Sequence, residues 1–236
     1  AVAVVGPMTS DMALAAVPMA NAARLILISP TASTNKLDDK DDYFLRVNPP
    51  DKTETDHLAR HAYEEMGLRR IAVIYDLSNR SFTEGVNRNF KSSFEAYGDA
   101  ETAALSFTSD PQYDFTGLTR RALEEKADGI LIVAEAVDTA MICQQLRKQG
   151  SQAPVFATGW AMTHRLIENG GRAVERVIFS HYFDQNAQNP AFLQFKDAYA
   201  ARFGAPPDFV ASLGYNAAQV ALQALHPERL VHDVEP

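Results

Sequence analysis

Two clusters of small hydroxylated residues carry the chemistry this chain is best equipped to do. The run Ala1-Val2-Ala3-Val4-Val5 stops in Gly6-Pro7-Met8-Thr9-Ser10, and Leu25-Ile26-Leu27-Ile28 stops in Ser29-Pro30-Thr31-Ala32-Ser33. Each is a short apolar run that breaks into hydroxyls where a strand of a parallel sheet would end. Open α/β sheets take ligands at the carboxyl ends of their strands. The pattern therefore points to a binding cleft before it points to catalysis. Ser10 and Ser33 also stand where serine commonly caps a helix, and a residue can cap and bind at once.

Other reactive constellations are poor. His57 and His61 have the helical spacing of metal ligands, but Leu58 occupies the place where a metalloprotease needs its glutamate, so a solvated helix face is the better reading. Asp38-Asp39-Lys40-Asp41-Asp42 lacks the alternating oxygen ligands and glycine of a calcium loop and reads as a charged surface turn. Neither a nucleophile elbow, nor a dinucleotide fingerprint, nor a phosphate-loop lysine occurs, so no nucleophile with a base is nominated and no cofactor or metal is implied. The single cysteine, Cys143, excludes an internal disulfide and lies in an apolar helical stretch, where a free thiol is expected to be a buried packing residue.

The elements that would position these residues alternate regularly. Strand-like runs at Val2-Val5, Leu25-Ile28, Ile71-Tyr75, Thr102-Phe107, Ile130-Val133, Val155-Ala157 and Val177-Ser180 are separated by stretches with helical spacing, such as Val86, Phe90, Phe94 and Tyr97. Arg69-Arg70 and Asp128-Gly129 precede strands, and Gly150 closes a helix. This is βαβ organisation, and it predicts a doubly wound α/β fold of parallel sheets with helices on both faces. Two extended segments, Tyr43 to Asp51 with its double proline and Val177 to Phe183, read as crossings between lobes. They delimit a complete lobe over 46–182 and leave 1–45 with 183–236 to form a second, discontinuous lobe. Few extended residues then link the lobes, which is what a hinged binder needs.

At 236 residues and 46% hydrophobic, the chain has enough apolar surface for one large core or two modest ones. Its formal charge of −8, without clustered Lys and Arg, argues against nucleic acid or an anionic membrane as partner. No run reaches the length of a membrane span or resembles a secretion signal. Ala1 to Val5 already reads as a core strand with no turn or cap ahead of it, so a signal and earlier core elements are expected upstream.

Six segments, in this order and at these separations, carry a resemblance: Gly6-Pro7-Met8-Thr9-Ser10, Ser29-Pro30-Thr31-Ala32-Ser33, Phe44-Leu45-Arg46-Val47, Arg70 to Asp76, Asp114-Phe115-Thr116-Gly117-Leu118 and Leu213-Gly214-Tyr215-Asn216-Ala217-Ala218. Together they resemble the type I periplasmic binding proteins of branched-chain amino acid (Leu/Ile/Val) ABC transporters. The resemblance implies a two-lobe fold joined by extended hinge strands, with this chain a fragment that lacks the first strands of the N-terminal lobe. An unpaired apolar edge left in that lobe leads us to expect self-association.

The resemblance also implies a site. In that family a ligand carboxylate is held by hydroxyls and backbone amides after these first two strands, which by position nominates Ser10, Thr31, Ala32 and Ser33. Phe82 falls where the family places an aromatic over the ligand, and Glu135 and Trp160 follow strands on the same lobe. Where an amino acid binder of the family presents an acid for the ammonium, this chain has Trp160, so Glu135 supplying that charge and a ligand without an ammonium are both admitted. Core packing is the alternative for Trp160. The implied function is capture of a small carboxylate or amino acid in an inter-lobe cleft, outside the cytoplasm, for delivery to the membrane permease of an ABC importer. A receptor's sensing domain is the alternative, and a cytoplasmic nucleotide-dependent enzyme is disfavoured by the missing phosphate motif.

Overall fold

The computed structural model describes residues 1–225. The chain divides into two compact units, one made of Ala1–Pro49 with the segment from Phe183 onward, the other of Pro50–Tyr182. None of the described helices is long and apolar enough to cross a membrane.

The Pro50–Tyr182 unit is built on a five-stranded parallel sheet. Its strands are β4 (Arg70–Asp76), β5 (Glu101–Phe107), β6 (Gly129–Val133), β7 (Val155–Thr158) and β8 (Ile178–Ser180), ordered β5-β4-β6-β7-β8. The central strands read as unbroken apolar runs because both faces are covered. Alternation sorts their side chains: Ile71 and Val73 of β4 join Leu58, Ala62, Phe90 and Phe94 from α2 (Asp51–Arg60), the π-helical turn after it, and α3 (Arg80–Glu95). Ala72 and Ile74 face the other way, onto Phe115, Leu118, Ile142 and Leu146 of α4 (Phe115–Glu124) and α5 (Ala136–Lys148). Gly129 opens β6 because a Cβ there would stand 2.6 Å from Ile71 Cδ1. The expected start signals prove to be one device: the Asp128 carboxylate accepts from the Arg69 and Arg70 amides at 2.8 and 3.0 Å and ties the start of β6 to that of β4. Gly150, at φ +86°, follows the end of α5. Cys143 packs in the core, where burial pushes its thiol up to about 12.

The other unit has a three-stranded parallel sheet, β1 (Ala3–Val5), β2 (Ile26–Ser29) and β3 (Phe44–Arg46), in that order. Between β1 and β2 runs α1 (Ser10–Ala23), which buries Ala13, Val17 and Ala20 against Leu27 and Phe44. On the opposite face Ile28 meets Ala217 and Ala221 of α8 (Phe209–Leu225). With α6 (His164–Gly170) in the Pro50–Tyr182 unit, the next helix, α7 (Pro190–Phe203), is capped by Asn189 and closed by Gly204 at φ +74°.

One boundary differs from the sequence reading. The extended segment read as a crossing at Tyr43–Asp51 contains β3, paired in register Leu27↔Phe44 with β2 and extended by Val47 N–H to Ser29 O at 3.1 Å. Arg46 and Asn48 are held by the same unit, Arg46 through an ion pair to Asp38 and Asn48 through Nδ2 to Thr31 O at 2.9 Å. Residues 46–49 therefore stay with the first unit instead of opening the second. The run Val177–Phe183 contains β8, in line with the strand-like run read over Val177–Ser180, paired with β7 in register Phe156↔Ile178. At Phe44–Arg46 extended residues found a neighbouring strand, which the local sequence does not disclose.

Candidate functional site

In the first unit, the loops after β1 and β2 lock together through side chains. Thr9, not Ser10, is the N-cap of α1, with Oγ1 accepting from Met12 N–H at 3.3 Å. Likewise Thr34, not Ser33, caps the short turn at Asn35–Leu37. The capping reading of Ser10 and Ser33 is thereby corrected, since neighbouring threonines do that work. Ser10 is 2% exposed, and its Oγ accepts from the amides of Ser33 and Thr34 at 3.4 and 3.3 Å. A hydroxyl with its lone pairs so engaged has its proton left to give, and receiving two amides polarises it as a donor. Ser33 is buried alongside.

The frame around this pair is equally specific. Ser29 Oγ donates to Pro7 O at 2.6 Å and accepts from Ala32 N–H at 3.0 Å. Thr31 Oγ1 donates to Met8 O. The Ala32 amide is thus committed inside its own loop, while Thr31 ties the two loops to one another. Sequence reasoning passed over Ser29 and Asn48, although both are polar residues beside the nominated cluster. Asn48 Oδ1 is buried without a hydrogen-bond partner.

In the second unit, Phe82 lies in the first turn of α3 and Trp160 in the single 3-10 turn Gly159–Ala161 that follows β7. The two rings meet edge to face, with centroids 5.7 Å apart at 83°. Both are partly exposed, so Trp160 is not the core tryptophan that the alternative reading envisaged. Glu135 is the N-cap of α5: its Oε1 accepts from the Val137 and Asp138 amides at 2.8 and 3.0 Å. That carboxylate is anchored to its own helix, so one of its oxygens is already occupied.

Acids that the sequence reading missed gather at the same sheet edge. Asp76, fully buried at the end of β4, accepts from Ser78 and Ser109 amides at 3.0 and 2.9 Å. Asp138 is 7% exposed; burial, followed by the charges of Glu135 and Asp76, holds it above the usual carboxylate range, while a Ser109 hydrogen bond pulls the other way. An acid ending a strand run and another three residues into the next helix were the available signals. His57 and His61 lie elsewhere, at α2 and its π-helical continuation, where His61 Nδ1 sits 2.9 Å from Glu65.

A family model described as periplasmic binding protein matches residues 1–226. The chain belongs to the periplasmic binding protein family. Among its relatives, the Leu/Ile/Val-binding protein BraC3 of Rhizobium johnstonii is 22% identical over 98% of this chain and 62% of its own length. The leucine binding protein LivK of Thermotoga maritima superposes with a TM-score of 0.87 at 28% identity, over 96% of this chain and 64% of that one. A solute binding protein from Rhodopseudomonas palustris, solved with 3,4-dihydroxy benzoic acid, has a TM-score of 0.79 at 22% identity, covering 94% of this chain and 61% of that one. The chain therefore spans a little under two thirds of the length of these relatives. Its fold is the type I periplasmic binding protein fold.

Proposed function

We propose that this chain binds a small carboxylate-bearing solute and belongs to the recognition component of an ABC importer acting outside the cytoplasm, with the membrane permease as its protein partner. The observation that carries the reading is Ser10: a buried hydroxyl that accepts two backbone amides and is left with a proton for an anion. Ser33 supplies a further hydroxyl, while Thr31, whose own proton goes to Met8 O, and Ala32, bonded to Ser29, hold the loop that presents it. In the second unit, taken by itself, Phe82 and Trp160 present a partly exposed aromatic pair. Leucine, isoleucine and valine for BraC3, leucine for LivK and 3,4-dihydroxy benzoic acid for the Rhodopseudomonas palustris protein share a carboxylate, the group that the Ser10 hydroxyl suits.

Calorimetric titration with L-leucine, L-isoleucine and benzoates tests the reading. A charge-assisted hydrogen bond contributes about 1.5–3 kcal/mol, so Ser10→Ala is expected to weaken the best ligand about ten- to a hundredfold. Unchanged affinity in Ser10→Ala would overturn the carboxylate assignment.

A further inference from the structure

We propose that His181 is a positioning residue whose imidazole, seated on Gly159, fixes the turn that carries Trp160 and so holds the indole edge-on to Phe82. The inference rests on the functional reading of Trp160 only for its effect on binding. The geometry follows from sheet register. Thr158 of β7 pairs with Ser180 of β8, so the next residues out, Gly159 and His181, leave the sheet side by side.

Their approach is close. A Cβ on Gly159 would lie 2.1 Å from His181 Cδ2 and 2.5 Å from Nε2, distances no real Cβ tolerates. Gly159 does not adopt a left-handed backbone, so space alone calls for glycine here. The imidazole is backed in turn by Tyr182, whose ring stacks on it at 4.7 Å and 22°. The Gly159–Ala161 turn is closed by Met162 N–H to Gly159 O at 2.9 Å, and Trp160 follows Gly159 directly. A turn this short has little of its own to hold an indole in one rotamer. The ring pressed on Gly159 supplies the missing constraint.

The chain has one tryptophan, so its fluorescence reads Trp160 alone. In the whole chain without ligand, His181→Ala is expected to red-shift the emission and raise iodide quenching, with far-UV dichroism unchanged. His181→Phe, which keeps a flat ring on Gly159, is expected to restore the parent spectrum. Gly159→Ala is expected to disturb Trp160 when His181 is present and to add nothing in the His181→Ala background. Parent-like emission and quenching in His181→Ala, or an equal effect of Gly159→Ala in both backgrounds, would overturn the proposal. A binding arm uses L-leucine and 3,4-dihydroxybenzoate as probes. Freeing one ordered side chain is expected to weaken whichever binds by up to about tenfold in His181→Ala, and His181→Phe is expected to recover it. If neither probe binds the parent chain, the functional reading fails, while the fluorescence cycle still decides the role of His181.

Discussion

Glu54 is the residue whose environment most alters its chemistry. It sits in the first turn of α2 with Oε1 buried and unpartnered. Burial, and then the Asp51 charge, raise it from an ordinary 4.5 to about 7. The Tyr182 hydroxyl is itself pushed far up, by burial first and then by the charge of Glu54. A carboxyl raised on folding binds its proton more tightly in the native chain. Its contribution is therefore full below about pH 4.5, falls as pH climbs to about 7, and is gone above that. Glu54→Gln keeps the shape without the ionisation, so it is expected to exceed the parent's stability by about 1–3 kcal/mol near pH 8 and to match it near pH 4.5. Urea denaturation at the two pH values measures this, and an equal difference at both would refute it. Nothing in the spacing of Asp51 and Glu54 announced the shift, because burial is set by tertiary packing around α2, Tyr182 among its neighbours.

Among the elements, β1 is the most exposed strand for its composition. Val2, Val4 and Val5 are 67%, 38% and 44% exposed, and β1 lies at the edge of its sheet with β2 on one side only. Edge strands are usually blunted by charge, proline or a bulge, and Ala3–Val5 carries none of these. The chain is expected to associate with itself through this edge, and Val4→Lys to suppress the association. Light scattering across a concentration series reads it, and a monomer at every concentration would dispose of the idea. The apolar run was legible from alternation, as were α5 and its closing glycine. Strand β3 was not, because Phe44-Leu45-Arg46 becomes a strand only through its bonds to Leu27 and Ser29.

At the scale of the molecule, Pro50–Tyr182 is a continuous stretch that contains all five strands of its sheet and the helices on both faces. A segment with its own core and no borrowed strand is expected to fold alone. Expressed by itself, it should show native far-UV dichroism and one cooperative urea transition. A broad, non-cooperative transition would show that it depends on the rest of the chain. The first unit is assembled from two distant stretches, with Ile28 packed on Ala217 and Ala221, so it has no comparable autonomy.

Sequence by itself determined what depends on near neighbours: the apolar runs that become β4 and β6, the helical spacing of Val86, Phe90 and Phe94, the turn glycines, and the hydroxyl clusters after β1 and β2. Tertiary structure decided what depends on partners far along the chain. Ser10 receives amides 23 and 24 residues away. Trp160 meets Phe82 instead of entering the core, and Gly159 lies under His181 because β7 and β8 share a register. Local composition sets which conformations a segment favours, but a hydrogen bond or ring contact between distant residues exists only once the sheet has fixed which strands lie side by side.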